Sequence, residues 1–146
     1  MNRFAKFVRL SHRRRILLLR VWLALNVTAV ALRFVPLPQI LKWFGTNPTS
    51  PSRPKATSYS KDEIVWTVRA AAALSMSATC VVRALVGERL LRAQGYSVQF
   101  KVGVRPGEDF QAHAWVEDEH GILIGESERP YHPLPDLSAS DLATPS

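Results

Sequence analysis

The chain has 146 residues, enough for one domain with a substantial core. A single cysteine excludes an internal disulfide framework and a cysteine-rich zinc site, and His12, His113, His120 and His132 are too scattered for a metal motif. The formal charge of +7 is uneven: residues 1–61 carry 12 Lys and Arg and no acid, whereas residues 62–146 carry 7 basic and 12 acidic residues.

Residues 1–15 are basic and end in His12-Arg13-Arg14-Arg15. A basic arm on a mildly acidic body suits an acidic protein surface, membrane headgroups or nucleic acid, although a solvated surface needs no partner. Residues 16–35 are mostly apolar, broken by Arg20, Asn26 and Arg33. The longest charge-free stretch, 21–32, falls short of the roughly 20 residues that span a bilayer. A basic region, an apolar region and Ala29-Val30-Ala31 also share the outline of a signal peptide. The preferred expectation is one or two helices covered by the protein or by a partner, because a helix apolar on most sides needs cover. A helix lying on a membrane surface is the rival. Pro36 and Pro38 end the segment, and 39–44 suits a short helical turn.

Residues 45–59 are rich in Pro, Ser, Thr, Asn and Gly, and read as a linker. Ser60 and Glu63 form a capping box that starts a helix to about residue 74, with Ile64, Val65, Val68, Ala71 and Ala72 on its packed face. After a short break, Thr79 is placed to cap a second helix in which Val81, Val82, Leu85, Val86 and Leu90 recur at helical spacing. Gly95 stands where a glycine would end it. Cys80 therefore falls in the first turn. The positive end of the helix dipole favours an anion there, and a thiolate is the nucleophilic form of cysteine. A lone cysteine on a helix also serves commonly as a small buried apolar residue.

The period then changes to two. Tyr96, Val98, Phe100, Val102 and Val104 alternate with polar residues or glycine, and after a turn at 105–109 the alternation resumes at 110–117. Phe110, Ala112, Ala114 and Val116 share one face of that second strand, and Gln111, His113, Trp115 and Glu117 the other. A turn at 118–121 leads to a short third strand at 122–126. From Pro130 the composition predicts an extended tail.

His113 stands mid-strand, where it can be a half-buried imidazole or the base that takes a proton from Cys80. Glu126, brought back antiparallel by the hairpin, is the first candidate to orient it, with Glu117, Asp118 and Glu128 as alternatives. The Cys80 N–H is the natural first oxyanion donor. Trp115 and Phe110 are candidates to line the cleft.

Thr79-Cys80, Arg83-Ala84-Leu85, Leu90-Leu91-Arg92, Gly95, Val102-Gly103-Val104, Phe110, Ala112-His113-Ala114-Trp115-Val116-Glu117 and Gly121 together resemble the lasso-peptide biosynthesis B2 proteins, which are transglutaminase-like leader peptidases. The resemblance covers about residues 60–130 and extends to the preceding basic-apolar segment. It implies an α+β fold with a papain-like, transglutaminase-like core, a nucleophile helix on a small antiparallel sheet, and a Cys-His-Asp triad. Glu126 stands where the family usually has Asp, and the hairpin is one residue longer. The resemblance further implies a bacterial, cytoplasmic cysteine peptidase, in contact with the inner membrane surface through its arm or free of it. The peptidase would cleave a ribosomally made precursor after a leader whose penultimate residue is usually threonine, without cofactor or metal. Its implied partners are the precursor, a separate leader-recognition protein and an ATP-dependent, macrolactam-forming cyclase. Nucleic acid drops out of the expected partners.

The expected organisation is a helical N-terminal segment at 1–45, a linker at 46–59, a peptidase core at 60–135 and a tail at 136–146. Residues 13–32 of the arm are expected to dock on the recognition protein or the cyclase, with completion of the core as the rival. Two other functions stay open: acyl transfer to an amine by the same residues, and a non-catalytic adaptor that grips the leader at its sheet edge.

Overall fold

The computed structural model describes residues 9–43, 59–105, 111–125 and 132–133. Most of the expected linker, the turn at 106–109, Phe110, Glu126, Glu128 and the tail at 136–146 lie outside the described residues. Four helices, α1 (His12–Phe34), α2 (Leu37–Trp43), α3 (Lys61–Ala73) and α4 (Cys80–Ala93), precede β1 (Gln99–Arg105), β2 (Gln111–Asp118), β3 (Gly121–Ile124) and β4 (His132–Pro133). The α+β class expected from the sequence is the class observed.

Local chemistry sets the helix ends. Ser11 caps α1 by accepting from the Arg14 N–H, a start signal not recognised in the sequence. The ring of Pro36 disfavours helical geometry at Val35, which is extended at φ −123° and ψ 128°. Pro38 fits within the first turn of α2, where a missing N–H costs no hydrogen bond. The capping box of Ser60 and Glu63 is formed in full at α3. At the end of α4, Gly95 adopts φ 88°, its N–H meets the Arg92 carbonyl at 2.9 Å, and the Tyr96 N–H meets the Leu91 carbonyl at 3.0 Å. These two bonds form a Schellman stop, and they postpone β1 to Gln99.

The strands form one antiparallel sheet in the order β3-β2-β1-β4. Within the extended tail expected from Pro130, two residues pair as a fourth strand: His132 lies opposite Val104, and Pro133 opposite Gly103. Two residues are too few to show a period, and proline is tolerated at a sheet edge. A bulge between Val116 and Glu117 shifts the β2–β3 register, with Val116 opposite Ile124 and Glu117 opposite Ile122. One extra residue is thereby absorbed into the hairpin.

Of two apolar clusters among the described residues, Ile40 and Leu85 form the smaller, and the larger lies between the helices and the sheet. Ile64, Val68 and Ala71 of α3, Val82, Ala84, Val86 and Leu91 of α4, Ala114 and Val116 of β2, and Ile124 of β3 meet there. Leu17, Leu18, Val21 and Leu25 of α1 belong to the same cluster. Arg14 Nε reaches Glu63 Oε1 at 3.2 Å, and Lys61 Nζ reaches Asp118 Oδ2 at 2.5 Å, tying α1 to α3 and α3 to β2. Cleavage after Ala31, as a signal peptide would require, would strip the inner α1 leucines from the core. By length and composition α1 could cross a membrane, with a mean hydropathy of 1.7 over its best window. Its inner face is nonetheless shared with α3 and α4.

The helix therefore has two unequal faces. Leu25→Ala removes a side chain with no exposure and should cost about 2–5 kcal/mol, whereas Leu23→Ala, on the exposed face, should stay within about 0.5 kcal/mol of wild type. Denaturant unfolding of the two variants measures the contrast.

Candidate active site

Cys80 is the first residue of α4. Thr79 holds extended geometry at φ −66° and ψ 168°, and its hydroxyl accepts from the Val82 N–H. The Thr79 carbonyl accepts from Arg83 at 3.0 Å, so the chain turns into the helix directly at the cysteine. Arg83 Nε in turn donates to the Ala78 carbonyl at 3.1 Å and fastens the loop before it. Cys80 is half-buried, and its N–H belongs to the first turn, which lacks intrahelical acceptors. A sulfur and a backbone donor thus share one helix end.

His113 stands in the middle of β2, opposite Gly103 of β1. Ala114 and Val116 enter the helix-side core, and the alternation of the strand sends His113, Trp115 and Glu117 to the other face. The His113 and Trp115 rings are stacked with centroids 6.2 Å apart and planes 21° from parallel. The Trp115 indole N–H donates to Glu117 Oε2 at 2.8 Å. His113 Nε2 lies 2.5 Å from the Gly125 carbonyl oxygen. A carbonyl only accepts, so Nε2 carries the proton and Nδ1 is the basic nitrogen of the neutral ring.

The position of that carbonyl depends on glycine. Gly125 has φ 90°, and a Cβ there would stand 2.7 Å from the Ala114 oxygen and 3.0 Å from Trp115 Cα. Sequence reasoning missed this residue, although a glycine closing the run Ile122-Leu123-Ile124 was the available signal.

Helix α4 packs directly against β2, so the elements bearing Cys80 and His113 are neighbours. The Cys80 thiol forms no hydrogen bond among the described residues, and His113 stands on the face of β2 away from the one that α4 covers. Two of the four candidate orienters have other partners. Glu117 accepts from Trp115, and Asp118 accepts from Lys61 and from the His120 N–H at 2.9 Å. Glu126, outside the described residues, directly follows the glycine whose carbonyl meets the imidazole.

The Lys61 ammonium and the His120 N–H hold the Asp118 carboxyl below its ordinary value of 3.8, and the bond to Asp118 holds Lys61 above 10.5. The depressed acid stabilises the fold above pH 3.8, and that share is lost as pH falls through its native value. The raised lysine contributes below pH 10.5, and its share is lost as pH rises through its own native value. Asp118→Asn should lower Tm at pH 7, and the gap to wild type should close well below pH 3.8, as thermal scans across pH would show. Gly125→Ala should cost about 1–3 kcal/mol from backbone strain, with a larger proportional loss of activity because the imidazole loses its fixed acceptor. Tm and turnover measured side by side check that split.

The family model of the Transglutaminase-like superfamily matches residues 23–136. No curated protein and no solved structure matches the chain. The matched span runs from the middle of α1 through the sheet and includes Cys80, His113 and Gly125. With a cysteine at a capped helix start beside a histidine strand, this chain belongs to the Transglutaminase-like superfamily, a group of generally cysteine-dependent enzymes that includes peptidases and acyltransferases.

Proposed function

We propose that the chain is a cysteine peptidase that removes the leader of a ribosomally made lasso-peptide precursor in the bacterial cytoplasm. The observation that carries the reading is the pairing of two fixed elements. Cys80 opens a capped helix, and that helix packs on the strand whose His113 has Nε2 committed to the Gly125 carbonyl. The resemblance of the Cys80 and His113 segments to the lasso-peptide leader peptidases supplies the substrate class.

Nδ1 of His113 takes the Cys80 thiol proton, and Sγ attacks the scissile carbonyl carbon. His113 starts on the face of β2 away from the one that α4 covers, so the proton transfer requires the Cys80 end of α4 or the hairpin to shift when substrate binds. The carbonyl π electrons move to oxygen, and the Cys80 N–H at the helix start faces that developing charge. Collapse expels the amine, which leaves with the proton from His113. Water, deprotonated by the same nitrogen, then attacks the thioester and releases the leader carboxylate and the free thiol. Glu126 is the proposed orienter of the imidazole, acting by sharing or taking over the Nε2–H that the Gly125 carbonyl accepts. The freed amine of the core peptide passes to the macrolactam-forming cyclase, and a separate leader-recognition protein delivers the precursor.

Incubation with a lasso precursor, with and without the recognition protein, followed by mass spectrometry, tests the reading. Cys80→Ala should abolish cleavage with the circular dichroism spectrum unchanged. His113→Ala should lose about 10²–10⁴-fold and slow alkylation of Cys80 by iodoacetamide near neutral pH. Glu126→Gln should lose less. A leader joined to an added amine instead of a free carboxylate would identify acyl transfer. Full function of Cys80→Ala in the pathway would identify an adaptor.

A further inference from the structure

The outer face of α1 carries an apolar stripe that the described residues leave open. Ile16, Leu19, Leu23, Val27, Val30 and Phe34 follow one another at intervals of three and four residues, and the last five are each 56–81% exposed. At about 100° per residue they form one straight row, opposite the row of Leu17, Leu18, Val21 and Leu25 in the core. Arg13 and Arg20 flank the stripe on one side and Arg33 on the other. All three are exposed, and Arg20 and Arg33 form no ion pair among the described residues.

We propose that this face is a docking surface for an anionic lipid bilayer, on which α1 lies in the plane of the interface. The proposal stands apart from the peptidase reading. An apolar helical row flanked by arginines matches a bilayer boundary in both of its layers: side chains enter the acyl region, and guanidinium groups meet the phosphates. Charge argues against a second copy of the chain. Residues 1–61 hold 12 basic residues and no acid, so two such faces would repel. Nucleic acid would satisfy the arginines and leave the apolar row in water. Spanning the bilayer would pull the inner leucines out of the core and place Arg20 within hydrocarbon. The same surface continues toward the nucleophile. Asn26 accepts from the Ser75 hydroxyl at 3.2 Å, and the exposed Leu74 and Met76 beside Ser75 belong to the loop that leads into Cys80.

Flotation of the full chain with phosphatidylcholine vesicles, with and without phosphatidylglycerol, tests the proposal. The protein should float with the phosphatidylglycerol vesicles at low salt and weakly with the neutral ones. Leu23→Asp combined with Val27→Asp should weaken flotation on the order of a hundredfold, with Tm and circular dichroism unchanged because both positions are exposed. The uncharged pair Leu23→Gln and Val30→Gln should also weaken it, which separates lost apolar contact from added charge. Arg20→Glu combined with Arg33→Glu should remove the preference for anionic lipid. Absence of flotation on either vesicle overturns the proposal. So does flotation untouched by the stripe variants. A dimer in sedimentation that the stripe variants dissolve overturns it in favour of a second copy. Tight binding of the stripe to the recognition protein or the cyclase, without vesicle binding, overturns it in favour of a protein partner.

Discussion

The seating of α4 on the sheet is the constraint on which the other features depend. At Gly87 the helix passes so close to β3 that a Cβ would collide with the δ-methyl of Ile124. A larger residue there would have to displace the Ile124 side-chain end, and glycine lets helix and strand lie together without that shift. Val82, Ala84, Val86 and Leu91 then fill the space between helix and sheet together with Ala114, Val116 and Ile124. Because α4 starts at Cys80 behind the Thr79 cap, its placement also fixes where Cys80 stands. A core contact thereby positions a chemical group two turns away.

The other half of the candidate site is held by a second close approach. Gly125 sits against Ala114 and Trp115 on the outer hairpin strand, and its carbonyl selects the tautomer of His113. The stacked Trp115 limits the ring from the side, and Glu117 in turn holds Trp115. The imidazole is therefore oriented by backbone and aromatic contacts as well as by any carboxylate. Lys61 and Asp118 clamp the start of α3 to the end of β2, which keeps this hairpin against the helical layer.

Helix α1 is part of this assembly and also exceeds it. Its inner row completes the core, so the N-terminal segment cannot be an appendage that merely tethers the domain. Its outer row finds no cover among the described residues, and its arginines are largely turned to solvent. Core completion and surface docking were opposed readings of the sequence. The structure gives core completion the inner side of the helix and leaves the outer side exposed among the described residues.

The sequence by itself determined the features that rest on a few neighbouring residues. The Ser60–Glu63 capping box, the Thr79 cap, the Gly95 stop and the proline end of α1 each arise within about one turn, where spacing alone decides which backbone groups meet. Alternation assigned His113, Trp115 and Glu117 to one face of β2 for the same local reason. Only the tertiary structure decided which distant groups meet. Arg14 with Glu63 and Lys61 with Asp118 are 49 and 57 residues apart in the chain. The bulge at Val116 and Glu117 shifted the hairpin register by a residue, which no alternation pattern could reveal. That return of the chain matched the Gly125 carbonyl to His113, while Glu117 and Asp118 took Trp115 and Lys61 as partners. Pairing across a sheet depends on where the whole chain comes back, and short-range spacing does not contain that information.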